Sequence, residues 1–260
     1  MNVYPPLEDT TPKIIKYTYD QYEKLEYYGE VNSITNQKQG RGIQVWNDGT
    51  RYAGYWEKDK TNIKGKITYS DGTEYEGEIK NDKTEGYGRY INKLGAIYEG
   101  EWKEDLQNGK GKETWIDGTI YEGEYINGKK NGKGKFIWPD GSIYEGDFVN
   151  NEMTGSGKCK WTDNREYIGQ MKNNKMEGKG VFIWPNGRRY TGEYKNDLKD
   201  GYGEFEWEDK RMYKGMWKEG KQSGKGMFYN PISKKWREGV WKNGKRIQWN
   251  DTNSNKVAGN

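Results

Sequence analysis

Residues 121–143 read YEGEYINGKKNGKGKFIWPDGSI, and the alternation inside this stretch decides the fold. Tyr121, Gly123 and Tyr125 fall on one side of an extended chain, with Glu122 and Glu124 on the other. Further on, Gly132, Gly134, Phe136 and Trp138 share a side, and Lys133, Lys135 and Ile137 oppose them. A period of two predicts two strands. Asn127-Gly128-Lys129-Lys130-Asn131 between them reads as a turn by composition. Pro139-Asp140-Gly141 after them reads as a tight hairpin, because glycine accepts a positive φ without penalty. Two strands and two turns make a β-meander, and the interior glycines leave no room for a helix.

The unit recurs. Tyr-x-Gly begins at Tyr52, Tyr75, Tyr98, Tyr121, Tyr144, Tyr167, Tyr190 and Tyr213, always 23 residues apart. Gly-x-Gly follows eleven residues after the tyrosine, from Gly86/Gly88 to Gly224/Gly226. A degenerate unit opens at Tyr27-Tyr28-Gly29, and another closes the array at Arg237-Glu238-Gly239. A fixed period of this length marks a repeat architecture. Propeller blades need four strands in about 40–50 residues, and leucine-rich repeats need leucine at every turn; this chain has five leucines. A parallel β-helix has a comparable period, but the Asp-Gly hairpins argue against it.

Composition agrees. Of 260 residues 37 are Gly, and the 22 Tyr, 12 Trp and 5 Phe make 39 rings, which outnumber the 35 of Leu, Ile, Val and Phe together. A leucine-rich helical core is excluded. Disorder needs few aromatics and a high net charge, and the net charge here is +4. The expected core is a layer of rings on glycines, with the opposite face carrying Glu and Lys in cross-strand pairs. There is no His and one Cys, Cys159, which removes His-based catalysis, His/Cys zinc sites and internal disulfides. No cofactor and no metal site is expected. Residues 1–16 contain Pro5, Pro6 and Pro12 and no apolar run, so no secretory signal is expected there.

Units such as YEGEWKEDLQNGKGKETWIDGTI (98–120) and the one quoted above resemble the MORN repeat (membrane occupation and recognition nexus) over residues 27–249. The resemblance implies an all-β fold: an elongated, single-layer antiparallel β-meander of about nine to ten 23-residue hairpins. At ~4.8 Å between strands such an open trough extends to roughly 90 Å. It also implies a non-enzymatic scaffold or adaptor in the cytoplasm or cytoskeleton. Among array-only members the analogue is the radial-spoke head of the ciliary or flagellar axoneme. Residues 1–26 are then an N-terminal arm or cap, 27–249 the array and 250–260 a flexible tail.

Candidate sites follow from the two faces. A single layer leaves rings accessible, so Tyr121, Tyr125, Phe136, Trp138, Trp161, Trp184, Tyr190, Tyr194, Phe205 and Trp207 form the expected partner-binding face. The occupant is a protein segment or a second copy of the chain, giving a homodimer. Glu113 and Cys159 stand where Phe136, Phe182, Phe205 and Phe228 stand in their units, and Asn92 where Trp115, Trp138 and Trp161 stand. Each departure reads either as drift or as a gap for a partner's side chain, and Cys159 as a space-filler. Lys234, Lys235, Arg237, Lys242, Lys245 and Arg246 are the least neutralised cations; they are the candidate contact for anionic phospholipids or phosphoinositides, the alternative function of a peripheral membrane adaptor. Rings and charges on opposite faces argue against nucleic acid. Gly123-x4-Gly128-Lys129-Lys130 and Gly215-x4-Gly220-Lys221-Gln222 lack the hydroxyl a phosphate loop places after its lysine and precede no helix. Glu76/Glu78 and Glu99/Glu101 recur too regularly for a catalytic pair.

Overall fold

The computed structural model describes residues 10–11 and 26–250. Apart from Thr10, Thr11, Glu26 and Asn250, the expected arm and tail lie outside the described residues. Every regular element among the described residues is a β-strand. Seven- and nine-residue strands alternate, as in Ile120–Ile126, Lys129–Ile137, Ile143–Val149 and Glu152–Lys160. Consecutive strands pair antiparallel, with Gly opposite Gly at Gly134↔Gly146, Gly146↔Gly157 and Gly157↔Gly169. That pairing rules out the parallel β-helix. The chain divides into two units, Met1–Lys130 and Asn131–Asn260, and each is a meander of this kind.

The two turns of the repeat differ. Asn127 (φ 49°) and Gly128 (φ 75°) are both left-handed, as are Asn150/Asn151 (50°, 74°) and Asn173/Asn174 (50°, 65°). Two such residues form the mirror-image turn whose twist matches the flanking strands. The strand therefore resumes at Lys129, and the five-residue turn expected over 127–131 shrinks to two. The Asp-Gly loop is the longer one: Trp138 N donates to Ser142 O at 3.0 Å, Gly141 N donates to Trp138 O at 2.9 Å, and Gly141 alone is left-handed (φ 88°). Asp140 Oδ1 braces it by accepting from Ser142 N at 2.8 Å.

The Gly-x-Gly pair serves two purposes. Its first glycine sits in a β-bulge, where the register shifts between Gly146 and Phe148 and Gly155 has φ 90°. Asp147 fills that bulge: its Oδ2 accepts from Ser156 N at 2.9 Å and its carbonyl accepts from Tyr144 Oη at 3.1 Å. Glu78, Glu101 and Gln170 do the same for Tyr87, Lys110 and Lys179 with side-chain oxygens, and for Tyr75, Tyr98 and Tyr167 with their carbonyls. The recurring carboxylates at 78 and 101 are thus bulge caps. Their neighbours at 99 and 145 make the expected cross-strand pairs, Glu99 to Arg89 (3.4 Å) and Glu145 to Lys135 (2.7 Å).

The second glycine is roofed by the tyrosine. A Cβ on Gly157 would lie 2.3 Å from Tyr144 Cε2, and one on Gly180 2.4 Å from Tyr167 Cε2. Each ring lies flat over a glycine pair and points its hydroxyl at the carbonyl three residues on. Tyr27, Tyr52, Tyr75, Tyr98, Tyr121, Tyr144, Tyr167, Tyr190 and Tyr213 are all nearly inaccessible. A second ring stands at right angles to them, as in Tyr98–Trp102 (5.3 Å, 89°) and Tyr144–Phe148 (5.4 Å, 83°). Edge-to-face pairs contribute about 0.5–1.5 kcal/mol beyond burial. Successive hairpins are also clamped: Asp82 N donates to Thr61 O (3.0 Å) while Asp82 Oδ1 accepts from Thr61 N (2.7 Å), and Asp105 repeats this with Thr84.

Candidate interaction surface

Ten rings were expected along one face, and the structure sorts them into two tiers. Tyr121, Tyr125, Tyr190, Tyr194 and Phe205 are buried. Phe136, Trp138, Trp161, Trp184 and Trp207 are half-buried. Tyr121 and Tyr190 belong to the glycine-roofing column, and Tyr125 and Tyr194 are the rings that stand at right angles to them, at 5.3 and 5.2 Å. Trp161, Trp184 and Trp207 extend into a ladder with phenylalanines between them, confined to the second unit. Its steps are Trp161–Phe182 (5.4 Å), Phe182–Trp184 (4.4 Å), Trp184–Phe205 (5.6 Å), Phe205–Trp207 (4.7 Å), Trp207–Phe228 (6.0 Å) and Phe228–Trp249 (6.1 Å). Phe136 and Trp138 make a matching pair at 5.0 Å on the other side of Cys159.

Cations stack on this ladder, against the expected separation of rings from charges. Arg165, Arg188 and Arg211 place Cζ over Trp161, Trp184 and Trp207 at 5.4, 5.3 and 5.7 Å. Arg237 and Arg246 both lie over Trp249, at 4.3 and 4.1 Å. The signal was present in the repeat columns: Thr50, Thr73, Thr119 and Ser142 occupy the same place after the turn, and arginine replaces them only from 165 onward. The turn residue two before each arginine holds its Nε, through Asp163 Oδ2 at 2.7 Å, Asn186 Oδ1 at 3.1 Å and Asp209 Oδ2 at 2.7 Å.

Lys199 lies deeper, with Nζ 4.6–5.1 Å from the centroids of Trp184, Tyr190, Phe205 and Trp217. Burial, and secondarily the charge of Arg188, pulls its ammonium down to about 8. Met153 and Met176 hold the same column in the two preceding repeats, so Lys199 is a long aliphatic arm laid among rings with its charge retained.

The three departures from the ring pattern are satisfied inside the chain. Glu113 Oε2 accepts from Lys130 Nζ at 2.8 Å and from Tyr125 Oη at 3.1 Å, and Lys130 in turn lies 4.6 Å over Trp115. A gap awaiting a partner is therefore not what Glu113 provides. Asn92 Oδ1 accepts from Leu94 N and Ala96 N, bracing its turn. Cys159 is buried, and burial pushes its thiol up to about 11, the behaviour of a space-filler. Lys234, Lys235, Arg237, Lys242, Lys245 and Arg246 are all exposed. The two phosphate-loop look-alikes fall on mirror-image turns followed by strands, Lys129–Ile137 and Lys221–Asn230. On the other face of the second unit, Gly134, Gly146, Gly157 and Gly169 floor an open hollow walled by Lys133, Glu145, Lys158 and Gln170.

Fold and surface together define a hairpin-repeat protein whose prominent chemistry is a row of rings and cations. The MORN repeat pattern matches residues 36–51, 52–74, 75–92, 98–120, 121–143, 144–164, 167–188, 190–210 and 213–232, and the chain belongs to the MORN-repeat family. No curated protein sequence matches it. Among solved structures, the TCP domain of Drosophila melanogaster SAS-4 (dCPAP), in complex with a proline-rich motif of Ana2, is similar at 15% identity. That match covers 71% of this chain and 99% of that one, with a TM-score of 0.40. The G-box domain of the microcephaly protein CPAP is similar at 13% identity, covering 78% of this chain and 100% of that one, with a TM-score of 0.41.

Proposed function

We propose that this protein is a non-enzymatic scaffold that binds a protein partner along its aromatic face within a larger cytoskeletal assembly. The observation that carries the reading is the half-buried tryptophan ladder from Trp161 to Trp249, since Trp, Tyr and Arg dominate the binding energy of interfaces. A ciliary or axonemal setting, with a radial-spoke-like role, rests on family resemblance alone. A homodimer is the case in which the partner is a second copy. A second reading, attachment to anionic phospholipid or phosphoinositide surfaces, is favoured by one observation: the six C-terminal cations from Lys234 to Arg246 are all exposed.

One experiment separates the readings. Partners are captured from native cells with the wild-type chain and with a Trp161→Ala/Trp184→Ala variant, and both are floated with vesicles with and without anionic lipid. The scaffold reading expects capture to be lost in the variant, its melting transition intact, and no flotation. Unchanged capture sinks it. Flotation that moderate salt abolishes favours the lipid reading instead.

A further inference from the structure

We infer that the ladder of the second unit is built for an extended acidic protein segment that crosses its strands and carries a carboxylate at every third residue. The inference rests on the aromatic-face reading above and names the chemistry of its partner. It starts from a charge asymmetry that the net charge conceals. Residues 26–130 hold 16 Lys and Arg against 19 Asp and Glu, whereas residues 131–249 hold 24 against 16. The excess of positive charge belongs to the unit that carries the ladder.

The position of the arginines adds geometry to charge. Arg165, Arg188 and Arg211 are equivalent residues of successive hairpins, each stacked on its own tryptophan. Arg165 and Arg211 keep 42% and 50% of their side chains exposed, so the stack orients the guanidinium without hiding it. Their Nε atoms are held by the turn, which fixes the plane of each fork. The middle arginine is held by an amide, Asn186, which in turn donates to Glu208 Oε2 at 3.2 Å, and the half-buried ammonium of Lys199 lies against the same Trp184. The centre of the row thus carries two cations on one tryptophan.

Spacing selects the occupant. Equivalent residues two strands apart recur at about 9.6 Å. A polyproline II segment rises about 3.1 Å per residue, hence about 9.3 Å in three. An acidic side chain at every third position meets each guanidinium in turn, while the residues between lie over Trp161, Trp184 and Trp207. Arginine forks suit carboxylates bidentately, and ring-lined grooves suit polyproline II chains. A single nucleic-acid strand fits less well. Its charge is continuous, whereas the guanidinium forks recur only once per hairpin, about 9.6 Å apart.

Fluorescence anisotropy with the full-length chain tests this, using a labelled Glu-Pro-Pro repeat peptide, its Gln-Pro-Pro counterpart and oligothymidylate. The Glu peptide is expected to bind at least about tenfold more tightly than the Gln peptide. An Arg188→Glu/Arg211→Glu variant should lose that preference with its melting transition unchanged, while Arg89→Glu in the first unit leaves it intact. Equal binding of both peptides that Trp184→Ala abolishes overturns the acidic partner and leaves the aromatic-face reading standing. Binding indifferent to Trp184→Ala sinks both. Oligothymidylate binding more tightly than the Glu peptide overturns the inference in favour of nucleic acid.

Discussion

Glycine carries two unrelated obligations in this chain, and the residue that breaks one of them is informative. In the bulge column the backbone is left-handed, as at Gly40 (φ 84°) and Gly86 (φ 64°), but Ile63 stands between them with φ 67°. A β-branched residue in that region carries strain of about 1–2 kcal/mol. Ile63 is 43% exposed, so little burial offsets the strain. Ile63→Gly should raise stability by up to about 1 kcal/mol, after allowing for the greater freedom of glycine in the unfolded chain; chemical denaturation reads the change, and a fall in the midpoint would refute it. Under the tyrosines the glycine rule is steric: a methyl on Gly157 has nowhere to go while Tyr144 keeps its place.

At the scale of the element, the strands and the two-turn unit were legible because period-two alternation and Asn, Asp and Gly at fixed offsets are local signals. Which turn is the shorter was not legible. Asn127-Gly128 and Asp140-Gly141 have similar composition, and the difference lies in how many residues turn left-handed between paired strands. The clamp from one hairpin to its predecessor was invisible too, since Asp82 and Thr61 are 21 residues apart and meet only after both hairpins form. Removing that carboxylate while keeping the left-handed backbone isolates its contribution. Asp82→Gly should lower stability by about 1–2 kcal/mol, and Asp82→Asn, which keeps the acceptor and tolerates the same φ, should be close to neutral. Thermal melts of the pair decide whether the side chain or the turn is what matters.

For the whole molecule, the tyrosine roofs make alkaline pH the natural perturbant. Burial pushes the hydroxyls of Tyr52, Tyr75, Tyr98, Tyr144 and Tyr167 well above the ordinary value of 10, and that of Tyr213 up to about 12. Above about pH 10 the unfolded chain loses these protons while the folded chain keeps them, so stability falls as pH rises. Lys199 acts in the opposite sense lower down. Folded, it releases its proton near pH 8, whereas unfolded it holds it to about 10.5; the unfolded chain then binds the extra proton, and stability rises across that window. The expected profile climbs above pH 8 and collapses above pH 10, with phenolate absorbance appearing together with the loss of β-sheet dichroism. Lys199→Met should flatten the climb, leaving the contribution of Lys38, whose pKa is also lowered by burial, and spare the collapse. Phenolate absorbance well before the dichroism changes would show that the roofs are open to solvent.

The fold announced itself through its period, but the surface did so only in part. The ladder tryptophans were in view from the start, whereas the arginines on them were hidden by being read as charges, without regard to their column. Four of the ten rings expected on the binding face lie in the buried tyrosine layer, and Phe205 is buried within the ladder, because one-dimensional alternation places Tyr190 and Trp184 on the same side. It cannot tell a ring that lies flat on glycine from one that stands at the strand's end. The roof, the bulge cap and the clamp also bear on how such a chain changes over generations. Each is completed within one repeat or with the repeat just before it, and the same atoms meet again 23 residues later. An in-frame gain or loss of one unit, cut at a tyrosine and rejoined at the next, restores the strand pairing and the tyrosine roof across the seam, so length is a property this gene can alter at little structural cost.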